Sequence, residues 1–180
     1  MMPRRVRIVC CSWLFFVALS ADPIASGAPD PHVRAVDPAI VETIRAGELR
    51  SPLFKAFVAA LDATDVVVYV AFGRQLPRGA GGQVTFGGAA GGRRYLRIAI
   101  RPDLDRDRQI ELLGHELRHA LEIAGAPDVV NAATLAELYR RIGFQSGPYG
   151  CNRYDSDAAI TAGHAVAREL GARVPQAATP

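Results

Sequence analysis

The stretch from Asp105 to Ala124 constrains this chain more than any other. Apolar residues recur in it at helical spacing and Gly125 and Pro127 close it, so it reads as one long helix. In its middle stands His115-Glu116-Leu117-Arg118-His119. Residues four apart on a helix lie one turn apart on one face, so both imidazoles can reach one divalent ion. Glu116 is rotated about 100° from His115 and points beside that ion, where a carboxylate can take a proton from water. Leu113, Leu117, Ala120 and Ala124 share a different face and are expected in the core. Leu112, His115, His119 and Glu122 form a second stripe, expected to face a cleft.

The 180 residues suffice for one domain with a single core. Residues 1–28 read as a secretory signal peptide: Arg4, Arg5 and Arg7 precede an apolar run from Ile8 to Leu19, and small residues follow. That run is short for a membrane span, and an uncleaved anchor, the one route to a membrane, is the alternative. The expected location is periplasmic or secreted. The net charge of +3 belongs mostly to this leader: without it, 18 basic residues face 17 acidic ones, which argues against a nucleic-acid partner. The leader also holds Cys10 and Cys11, so a mature chain keeps only Cys151 and forms no internal disulfide.

Residues 29–36 are expected to be a flexible lead-in, 37–172 the folded domain and 173–180 a flexible tail. Asp37-Pro38 and Ser51-Pro52 read as two helix starts, the first helix ending before Gly47. Val66–Phe72 reads as a buried strand. Residues 78–92, with seven glycines, read as a short strand, Gln83–Phe86, between two loose loops. Arg94–Arg101 alternates as a half-buried strand and is expected to form the cleft edge, where an extended peptide adds as a further strand. Helices over 129–142 and 155–170 are expected next, with a loop between them. The class is α+β.

At Gly114-His115-Glu116-Leu117-Arg118-His119-Ala120-Leu121-Glu122-Ile123-Ala124 the chain resembles the zincin metallopeptidases, and most of all small exported bacterial proteins with a GHEL-x-HA-x-E-x-A helix. The resemblance covers roughly residues 50–170. It implies a single zincin-like domain: a small, mostly antiparallel sheet packed on the H-E-x-x-H helix, with further helices after it. For these small members it implies no known substrate; the motif itself reads as a zinc site with Glu116 as general base, and the expected reaction is hydrolysis of a peptide or protein substrate. The chain departs from the metzincin branch, because Glu122 and Gly125 stand where that motif has Gly and a third His, and the only methionines are Met1 and Met2.

The third ligand must then come from further along. Asp155 lies where similar sequences carry a Glu, and in a helix it would share an inward stripe with Ala159, Ala162 and Val166; it is also a natural N-cap. Glu137, His164 and Asp157 are the alternatives, in that order. Glu122 suits an acceptor that holds an imidazole tautomer. Tyr149, Tyr154 and Arg153 are candidate donors to an oxyanion. The rival reading is a non-catalytic exported domain with a structural metal or a binding role, marked by a fourth protein ligand such as His164 or Cys151. Hydrolysis of a non-peptide amide is a third. Substrate and oligomeric state are not legible.

Overall fold

The computed structural model describes residues 30–77, 79–146 and 153–171. The expected signal peptide, the expected C-terminal tail, Tyr149 and Cys151 lie outside the described residues. A compact unit begins at Pro31, and every described element belongs to it.

Its elements are β1 (Val33–Ala35), α1 (Pro38–Arg50), α2 (Pro52–Asp62), β2 (Val66–Phe72), β3 (Gly82–Ala90), β4 (Arg93–Ile100), α3 (Arg106–Ala124), α4 (Ala132–Ile142), β5 (Phe144–Gln145), β6 (Tyr154–Asp155) and α5 (Asp157–Glu169). The class is α+β, as expected. The sheet is not mostly antiparallel. Its order is β1-β2-β4-β3, with β1–β2 and β2–β4 parallel and only β3–β4 antiparallel. Two helices, α1 and α2, carry the chain from β1 back to the start of β2, and such a crossover yields a parallel pair. β3 then runs along the far edge and turns back, which drops β4 between it and β2.

Two expectations fail for local reasons. Residues 33–35 fell in the expected lead-in, yet Val33 pairs with Val68 and is buried; three residues are too few to display a period. The glycine-rich stretch is one nine-residue strand, paired to β4 from Gly82–Ile100 to Ala90–Arg93 with a bulge near Gly88. Gly91 and Gly92 make the two-residue turn, with φ of 59° and 72°, the conformation that sets the twist of a tight hairpin. β3 is therefore the edge strand, and Arg94–Arg101, expected at the edge, is interior.

The helix starts are those read from sequence. The Asp37 side chain accepts from Ile40 N–H and Ser51 Oγ from Phe54 N–H. α1 runs past Gly47 to Arg50, because a residue without Cβ lets the Phe54 ring lie against the helix. α4 starts later than expected, at Ala132, where Asn131 and Thr134 form a capping box. One face of the sheet (Val66, Val68, Leu96, Ile98) packs on Phe54, Leu61, Leu113 and Leu117, all essentially fully buried.

Arg94 joins three elements. From β4 it forks onto Asp65 at 2.7 and 2.8 Å. It also donates to the carbonyls of Ile123, Ala124 and Ala126 at 2.8, 3.0 and 2.6 Å, which satisfies carbonyls left unpaired at the C-terminal end of α3. The guanidinium is 6% exposed. Arg94→Ala should lower the free energy of unfolding by about 3 kcal/mol, because it strands these buried acceptors. Equilibrium urea unfolding checks this, and a loss below about 1 kcal/mol would deny Arg94 that role.

Candidate metal centre

α3 presents His115, Glu116 and His119 to a cleft of about 500 Å³ roofed by β3. The phase is the one read from sequence: Leu113, Leu117 and Ala120 are fully buried on the core side. The two imidazole centroids lie 4.8 Å apart, edge to face. Asp155 approaches from β6, and its Oδ1 stands 3.4 Å from His115 Nε2 and 3.4 Å from His119 Nε2. The donor atoms of these three residues all lie within 4.8 Å of one another. Donors about 2.1 Å from a shared ion, at tetrahedral angles, stand about 3.4 Å apart, which is the separation of each histidine from Asp155, so these three residues could hold one metal ion.

Asp155 is the predicted residue in an unpredicted element. It does not belong to the last helix, whose N-cap is Ser156 with Oγ accepting from Ala159 N–H. It sits in β6, paired to Phe144 of β5, where the sequence suggested the first residue of the helix over 155–170. Gly143 makes that pairing possible, since a Cβ there would collide with the Asp155 carbonyl oxygen.

Glu116 lies under β3. A Cβ on Gly82 would come within 2.5 Å of its Oε1, so a larger residue there would force the carboxylate to shift. Burial raises the Glu116 pKa above the ordinary carboxylate value, while His119, His115 and a hydrogen bond from Val84 N–H act in the opposite direction. Burial also works against charge on Asp155, but hydrogen bonds from His115 and His119 hold it well below the usual range. For His119, burial disfavours the imidazolium, yet Asp155 and Glu122 outweigh it and push the ring up to about 9. Positive charge is therefore favoured at this spot by the surrounding carboxylates.

Glu122 takes the role read for it. Its Oε2 is 2.9 Å from His119 Nδ1. A carboxylate only accepts, so Nδ1 donates its hydrogen to Glu122, and Nε2 is the ring nitrogen turned toward Asp155. Burial would raise Glu122, but hydrogen bonds from His119 and Ser156 keep it lowered. Tyr139 of α4 was missed. It is 5% exposed, and its hydroxyl lies 2.9 Å from His119 Nδ1 and 3.3 Å from Glu122 Oε2. In sequence it sits one residue beyond Leu138 on an apolar stripe and reads as a core aromatic.

The other candidates separate. Glu137 is exposed on α4 and outside the cleft. Asp157 is exposed at the start of α5 and borders a different groove, with Leu53 and Phe57. His164 lines the cleft wall but stands outside the three-donor group. Tyr154 and Arg153 are half-buried in the cleft wall, and Arg153 Nε donates to the Ser146 carbonyl. Comparison with protein-family models, curated proteins and solved structures finds no match.

Gly143→Ala should separate β5 from β6 and withdraw Asp155. Zinc affinity, measured by competition with a chelator, is expected to fall at least about tenfold with α3 intact by circular dichroism. Unchanged affinity would mean that Asp155 is not a ligand.

Proposed function

We propose that the chain is an exported, zinc-dependent hydrolase of the metallopeptidase-like, zincin type, acting on peptide bonds. One observation carries this reading: two histidines a turn apart and a carboxylate from another element bring their donor atoms within 4.8 Å of one another, with Glu116 beside them. His115, His119 and Asp155 would hold the cation. A zinc ion so bound supplies Lewis acidity, polarising a carbonyl and lowering the pKa of a water toward about 7.

The remaining work falls to the chain. Glu116 accepts the water's proton and returns it to the departing amine. A carboxyl group whose burial lifts its pKa is a stronger base than an exposed one, and so takes that proton more readily. β3 has one neighbour in the sheet, β4, and Gly82–Phe86 line the cleft, so an extended substrate can lie along that edge as an added strand. Tyr154, Arg153 and His164 border the same space and are the candidates to face an oxyanion.

Purified full-length chain should carry about one zinc ion, by elemental analysis, and His115→Ala should carry almost none. Glu116→Gln should keep the zinc and lose about 10³-fold in hydrolysis of a quenched peptide library. Near-zero zinc in the unmutated chain would overturn the proposal. Zinc binding with hydrolysis untouched by Glu116→Gln would leave the ion and remove the enzyme.

A further inference from the structure

The proposed site draws its ligands from two places: α3 supplies both histidines, and the β6–α5 junction supplies Asp155. One residue touches both. The Ser156 backbone N–H donates to Asp155 Oδ1 at 2.7 Å. Its hydroxyl hydrogen goes to Glu122 Oε1 at 2.7 Å, while the same oxygen accepts from Ala159 N–H at 3.1 Å. Glu122 in turn holds His119 Nδ1 through its other oxygen. Ser156 is 2% exposed, so water does not compete for these bonds.

We infer that Ser156 is a positioning residue of the metal centre, setting His119 through Glu122 and Asp155 through its own backbone and the cap of α5. This rests on the reading of the three-donor group as a zinc site. The geometry gives the hydroxyl no spare hydrogen to donate. It has one hydrogen, and that hydrogen is committed to Glu122. Removing it leaves Glu122 Oε1 without that partner, frees the carboxylate to turn, and with it the imidazole whose tautomer and tilt it sets. The same deletion loosens the first turn of α5, which fixes where Asp155 stands. Tyr139 closes the other side of Glu122, so the carboxylate is held between two hydroxyls, one from α4 and one from the cap of α5.

A helix cap alone would not act in this way, and that difference can be measured. Zinc affinity of the full chain is read by chelator competition, and the cobalt-substituted protein gives a ligand-field spectrum. Ser156→Ala should lose about 10- to 100-fold in affinity with a shifted cobalt spectrum. Ser156→Thr, which keeps the hydroxyl, should restore both. Asp37→Ala removes the cap of α1, far from the site, and should leave affinity unchanged. Tight binding by the unmutated chain together with equally tight binding by Ser156→Ala overturns this inference and leaves the zinc site standing. An equal loss in Asp37→Ala reduces the effect to general stability and overturns it as well. Absence of zinc binding in the unmutated chain removes both.

Discussion

Four ionisable side chains, Glu116, His119, Glu122 and Asp155, stand largely out of water around one point, and the surrounding structure answers the cost of holding them there. An isolated buried charge is expensive, and each of these is stabilised only by its neighbours. Asp155 faces both imidazoles, Glu122 faces His119 and Ser156, and Glu116 is held beneath β3. No buried side-chain polar atom among the described residues lacks a partner. Such a network keeps its shape only while every member is satisfied, so the elements that supply the members cannot drift apart.

Close approach of backbones keeps them together. α3 and α5 meet at Gly114 and Gly163: a Cβ on the first would strike Val166, and one on the second would crowd His115. Two bare positions let the helices sit near enough for the residues just before α5 to reach the histidines. Gly143 does the same for β5 against β6, and Gly82 for β3 against Glu116. At the opposite end of α3, Arg94 ties the last carbonyls to β4 and to the loop before β2. The helix that carries the centre is thus held at its end by charge-assisted hydrogen bonds and along its length by packing.

This explains which parts were legible in sequence. α3 is legible in sequence, because a 3.6-residue period, the Gly125 and Pro127 stop and the five-residue motif all agree on one phase. The caps of α1 and α2 were legible because Asp-Pro and Ser-Pro act locally. The sheet order was not, since it depends on β1, whose three residues show no period, and on a turn whose Gly91-Gly92 pair was read as loop. Asp155 was selected by its neighbourhood but set in the wrong element. Its reach depends on β5 pairing with β6, a contact between two-residue strands that neither strand announces. Tyr139 and Ser156 were invisible as site residues for a similar reason: each looks like an ordinary core aromatic or cap until Glu122 is known to lie between them.

The same layout bears on whether a metal here would serve structure or chemistry. A structural zinc closes its shell with four protein donors, and the described residues converge with three. The three donors border the cleft beneath β3, the strand that also confines Glu116 through Gly82 and Val84. An edge open to an added strand and a roof over Glu116 are thus one piece of backbone. An added strand laid along β3 would be registered against Glu116 by the same backbone that confines that carboxylate, so proximity would come from the rigid frame itself.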